Sequence, residues 1–110
     1  MYYHAHVYWS TSEQRVLALS IREPLTKTGA GLGRVWDQPI GPHPLPMYQV
    51  SYCDDIKNQV EHWLDDKGLS VLLHEDTGDD LRDHTEGARW IGQELKLDLE
   101  WLEKYTRSKK

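Results

Sequence analysis

Residues Tyr2 to Trp9 alternate strictly. Tyr3, Ala5, Val7 and Trp9 fall on one parity, and His4, His6 and Tyr8 on the other, which is the two-residue period of a strand. The period then lengthens. Ser10 stands three residues ahead of Glu13, a capping-box spacing, and Leu17 and Ile21 recur at helical spacing until Pro24, which ends or kinks the helix. Gly29, Gly31 and Gly33 predict a turn into a short second strand around Arg34-Val35-Trp36. Four prolines between Pro39 and Pro46 make a stiff, extended stretch that has few free donors and cannot be a central strand. A third strand is expected from Met47 to about Tyr52. Asp54 or Asp55 should cap a second helix with Ile56, Val60, Trp63, Leu64 and Lys67 on one face, stopped at Gly68. Leu69 to His74 reads as a fourth strand. The tail carries two further helical patterns, Leu81, Thr85, Ala88 and Ile91, then Leu99, Leu102 and Tyr105.

The order β-α-β-β-α-β followed by helices predicts a ferredoxin-like α+β fold in one domain spanning residues 1–110: a four-stranded antiparallel sheet with two helices on one face. The apolar parity faces those helices. The other face must be covered by the tail, a second subunit or a ligand. The longest apolar run is Val16 to Leu19, too short for a membrane span. Eighteen acidic against thirteen basic side chains, a formal charge of -5, argue against nucleic acid and anionic membranes as partners. Cys53, the one cysteine, excludes an internal disulfide and Cys-rich metal sites, and fits a cytoplasmic location.

Six histidines on so small a domain require a reason. With the first strand central between the third and fourth, His74 should lie beside His4 and His6, and matching parities put all three on the open face. A His-x-His pair offers two imidazoles on one side of a strand, and a third from the neighbouring strand completes a three-nitrogen metal set with positions left for substrate and dioxygen or water. His43 joins His6 only if the proline-rich segment folds across the open face. His84 either serves as a capping residue or reaches the site from the tail, and His62 reads as a surface residue.

Three local patterns mislead. Asp76-Thr77-Gly78 lacks the all-β scaffold of an aspartic protease. Gly29-Ala30-Gly31-Leu32-Gly33 follows a helix and precedes a strand, the reverse of a dinucleotide-binding turn. Nothing around Cys53 marks it as an activated nucleophile.

The blocks His4-Ala5-His6-Val7-Tyr8, Pro39-Ile40-Gly41-Pro42-His43-Pro44, Leu69 to His74 with Thr77-Gly78-Asp79-Asp80-Leu81, Asp83-His84-Thr85 and Ala88-Arg89-Trp90-Ile91-Gly92 resemble, in order, the DOPA 4,5-dioxygenase family. The resemblance implies a ferredoxin-like homodimer that cleaves a catechol ring in the extradiol manner with dioxygen. It implies His6, His43 and His74 as ligands of a non-haem iron(II), with zinc or manganese as substitutes, and His4 and His84 as acid–base or supporting groups. Arg34, Arg82 or Arg89 would then pair with a substrate carboxylate. Glu75-Asp76 departs from the family pattern, where a proline is expected, and makes the pocket rim more acidic. Two rival classes share the fold: a ligand- or metal-binding module without turnover, and a monooxygenase that needs no metal.

Overall fold

The computed structural model describes residues 1–108; Lys109 and Lys110, the end of the expected domain, lie outside them. The alternating segment forms β1 (Tyr2–Tyr8) at the centre of a sheet whose other strands are β2 (Gly31–Leu32), β3 (Met47–Cys53), β4 (Val71–Glu75) and β5 (Arg89–Ile91). The order across the sheet is β2-β3-β1-β4-β5, every neighbouring pair antiparallel. Its first four strands keep the ferredoxin-like order. β5 is an addition that the sequence pattern did not predict.

One face carries the main core, in which Ala5 and Val7 of β1 and Trp9 just after it meet Leu69 just before β4 and Val71 and Leu73 within it. The helices α1 (Ser12–Ser20), α2 (Arg22–Lys27) and α3 (Lys57–Leu64) supply Ala18, Leu25, Val60 and Leu64 to it. The Tyr48 hydroxyl, 2.6 Å from the Ala18 carbonyl oxygen, ties α1 to the sheet. The other face is closed by the chain itself. Tyr8, Met47 and Leu72 pack there with Leu97, flanked by Ile40 and Leu45 of the proline-rich segment and by Trp90 and Leu95. No helix among the described residues is long and apolar enough to cross a membrane.

Several boundaries differ from the sequence reading for identifiable reasons. The cap of α1 is Thr11, whose hydroxyl accepts from the Gln14 N–H, while the Gln14 side chain takes the N–H of Ser10 before the cap, so the cap sits one residue later than predicted. The chain breaks at Ile21, three residues before Pro24, as a helix must when a proline ring would collide with the preceding turn. Arg34 to Trp36 is not a strand. The pairing lies at Gly31–Leu32, and Trp36 makes a single bridge to Met47. Neither Asp54 nor Asp55 caps α3, because a 3₁₀ turn (Asp54–Ile56) intervenes and Asp54 is taken by the Tyr3 hydroxyl at 2.7 Å and the chain's amino group at 3.1 Å. The helix predicted through Ile91 stops after one turn, α4 (Asp80–Asp83), and Arg89–Ile91 pairs with Val71 to Leu73 instead. Gly92 makes that edge possible: at φ +74° a Cβ would lie 2.5 Å from the Leu69 carbonyl oxygen. The last predicted helix is present as α5 (Leu99–Ser108) and buries Leu102.

Candidate metal centre

The register sets His4 directly opposite His74, and His6 opposite Leu72. Two further segments bring imidazoles to the same face. The proline-rich crossing delivers His43, whose N–H bonds to the Ile40 carbonyl, while the Asp98 N–H holds the Pro42 carbonyl at 2.9 Å. The turn after β4 delivers His84. Within it, the buried Asp83 carboxylate accepts the Thr77 N–H at 2.9 Å and the Thr77 hydroxyl at 2.6 Å, and Asp79 caps α4 by accepting from the Arg82 N–H. His84 is the residue at the far end of that one-turn helix.

His6, His74 and His84 each offer one donor atom, and these atoms all lie within 4.8 Å of one another. His43 packs its ring 4.3 Å from that of His6 but is bonded elsewhere, its Nδ1 lying 2.8 Å from the Tyr8 hydroxyl. His4 stands at the edge, 5.4 Å from His74 between ring centres, with its Nε2 3.6 Å from Asp76. His62 lies on the surface of α3. Tyr8 is the participant the sequence reading passed over, although it shares the parity of His4 and His6.

The hydrogen bonds sort the rings chemically. The Nδ1 atoms of His74 and His84 lie 2.7 Å from the carbonyl oxygens of Glu75 and Asp80. A carbonyl only accepts, so each Nδ1 carries the proton and each Nε2 presents a lone pair, the arrangement that metal-binding histidines use. The Nε2 atoms of His6 and His74 are 3.0 Å apart. That is the separation of two nitrogens each about 2.1 Å from one ion and at about a right angle. His6 Nδ1 is buried without a hydrogen-bond partner, so protein hydrogen bonds leave this ring half-satisfied. The donor set fits a first-row transition ion that accepts neutral nitrogen ligands.

Burial disfavours the charged form of His6, His43 and His74. It holds His6 well below the ordinary imidazole range, helped by the neighbouring imidazoles, and pushes His43 down to about 3 and His74 down to about 4. His4 is lowered less directly, since burial disfavours its charge while Asp76 favours it. These shifts predict a pH dependence for the metal-free protein. The folded rings titrate below the unfolded ones, so between about pH 4 and 6.5 the unfolded chain binds more protons. Stability should be complete above pH 6.5 and fall as the pH drops, by up to about 1.4 kcal/mol per pH unit for each such histidine. Urea midpoints measured from pH 7.5 to 4.5 check this, and a flat profile would contradict burial of neutral imidazoles.

Two clefts flank the cluster. One of about 500 Å³ is lined by His43, Pro39, Pro42, Pro44, Lys96 and Leu97. The other, about 340 Å³, brings His74 together with Lys57, Arg82 and Arg89. Of the arginines considered for a substrate carboxylate, Arg34 stacks on Trp36, while Arg82 and Arg89 both line this second cleft, Arg89 paired with Glu61 at 3.0 Å.

A sequence profile of the Dopa 4,5-dioxygenase family matches residues 3–101. An uncharacterised 21.2 kDa protein of Botryotinia fuckeliana is 31% identical over 96% of this chain and 64% of its own length. A DOPA 4,5-dioxygenase of Amanita muscaria is 32% identical over 88% of this chain and 47% of its own length. The chain therefore spans roughly half to two-thirds of these relatives. A crystal structure of a candidate dioxygenase from Nostoc punctiforme superposes with a TM-score of 0.87 at 39% identity, covering 94% of this chain and 92% of that one.

Proposed function

Because the chain belongs to the Dopa 4,5-dioxygenase family, we propose that it is an extradiol ring-cleaving dioxygenase acting on a catechol-type, DOPA-like substrate at a non-haem iron. The observation that carries this reading is the convergence of His6, His74 and His84, two of them with Nδ1 committed to backbone carbonyls. We place His84 in the ligand set where the family resemblance suggested His43, because the donor atoms of His6, His74 and His84 form one group that those of His43 do not join. Bound there, iron(II) supplies the redox and Lewis-acid chemistry through which a catechol and dioxygen react.

The protein's own part is positioning and proton handling. His43 lines the proline-walled cleft and, in the tautomer whose Nδ1–H donates to the Tyr8 oxygen, would offer Nε2 as the acceptor for a phenolic proton. Burial favours the neutral ring, which can take the phenolic hydrogen bond, and the charge of a bound catecholate would be what draws the proton onto it. His4 supports the site from its edge, packed against His74 and facing Asp76. The surrounding Tyr8, Leu72 and Leu97 exclude water from the inner side of the cluster.

The test is to load metal-free protein with iron(II) under anaerobic conditions, admit oxygen and offer L-DOPA, a dihydroxyphenyl carboxylate and unsubstituted catechol. Oxygen uptake matched one to one by a near-visible ring-opened product is expected with at least one of them. Metal retained without oxygen uptake for any catechol would instead identify a metal-binding module. Uptake that survives a chelator would point to metal-free oxygenation.

A further inference from the structure

We infer that Tyr8 is a positioning residue that holds a fourth imidazole, His43, away from the metal position at His6, His74 and His84, and so keeps coordination sites open for substrate. The inference rests on the metal reading above. His43 stands just outside that group: its ring centre is 4.3 Å from that of His6 and 5.8 Å from that of His84, yet its donor atoms do not join those of His6, His74 and His84. The group that fixes the His43 ring in that place is a side chain rather than the backbone. The Nδ1 atoms of His74 and His84 bond to backbone carbonyls, whereas that of His43 bonds to the Tyr8 hydroxyl at 2.8 Å.

Both ends of that bond are held. Tyr8 is 1% exposed, its ring stacked 6.0 Å from Trp90 and packed among Met47, Leu72 and Leu97, so the hydroxyl cannot follow a moving partner. His43 lies between Pro42 and Pro44, and its own N–H is committed to Ile40. The stiff backbone leaves rotation of the side chain as the principal freedom of His43. The Tyr8 hydroxyl is the group that restrains it. Tyr8 and His6 are two residues apart on one strand face, so the same strand supplies a ligand and the restraint on its nearest competitor.

The experiment compares wild type and Tyr8→Phe with cobalt(II) as a spectroscopic probe. Released from the hydroxyl, His43 should join the ion. Tyr8→Phe is then expected to bind cobalt(II) more tightly, on the order of 10-fold, the scale on which ligand-shell changes act. Its visible bands should shift, and its affinity for catechol should fall by a similar factor as open positions are lost. Adding His43→Gln to Tyr8→Phe should return the cobalt affinity to the wild-type value. A folded Tyr8→Phe with unchanged affinity and spectrum would overturn the inference, as would a gain that persists in the double variant. A check on the wild type needs no variant to fold: on zinc loading, the ring ¹⁵N signals of His6, His74 and His84 should move and those of His43 should not. Movement of the His43 signals would overturn the inference. Wild type that binds neither metal would sink the metal reading itself.

Discussion

Replacing His74 with alanine is expected to lower metal affinity by roughly 100-fold or more and to abolish ring cleavage, the consequence of removing one of three nitrogen ligands. His74 is the ring through which the site is assembled. It faces His6 across the strand pair at 3.0 Å between Nε2 atoms, packs 4.4 Å from His84 and lies opposite His4 in register. The substitution also removes buried contacts and leaves His6 without a neighbour for Nε2, which should cost about 1–3 kcal/mol of stability. A domain stable by about 5–15 kcal/mol tolerates that loss, so the variant should fold and be testable. Metal content after purification without a histidine tag, with circular dichroism to confirm the fold, checks the expectation. A folded His74→Ala protein that keeps wild-type metal affinity would contradict the ligand assignment.

Asp83→Asn should be the most damaging change outside the histidines. Asp83 is 2% exposed, and its carboxylate receives both the Thr77 N–H and the Thr77 hydroxyl, which closes the turn that carries His84. Hydrogen bonds to a charged acceptor contribute about 1.5–3 kcal/mol each, and an amide can present only one oxygen while turning its NH₂ toward one of the two donors. A loss of about 2–4 kcal/mol is expected, together with a fall in metal affinity of roughly 10- to 100-fold as His84 loses its placement. Urea denaturation and metal titration on one preparation read both effects. A stability change below about 0.5 kcal/mol, the range of ordinary surface substitutions, would mean that this turn does not depend on Asp83.

The same residues explain what was legible in the sequence. Alternation alone put His4, His6 and His74 on one face, because a strand's period allows no other arrangement once Ala5 and Val7 are taken by the core. It also separated Leu72 from its neighbours Val71 and Leu73, and the two apolar clusters divide these residues in the same way. The placement of His43 and His84 was not legible, since neither lies on a periodic element. His43 arrives on prolines, which carry no repeating pattern. His84 arrives through a turn closed by one buried carboxylate, and a single aspartate in an acidic stretch gives no sign of being buried. β5 was hidden for a related reason: Leu81, Thr85, Ala88 and Ile91 fit helical spacing, and only the turn at Gly87, whose N–H bonds to the Arg82 carbonyl, ends the helix early. Tyr8 was visible on the histidine face, but its partner was not, because that partner comes from the segment without a pattern.

The metal centre is tested most directly by the anomalous diffraction of crystals loaded with a transition metal. One peak is expected, bonded by His6, His74 and His84, with His43 still held by Tyr8 beside it. No peak at the cluster, or an ion bound by His43 in place of His84, would contradict it.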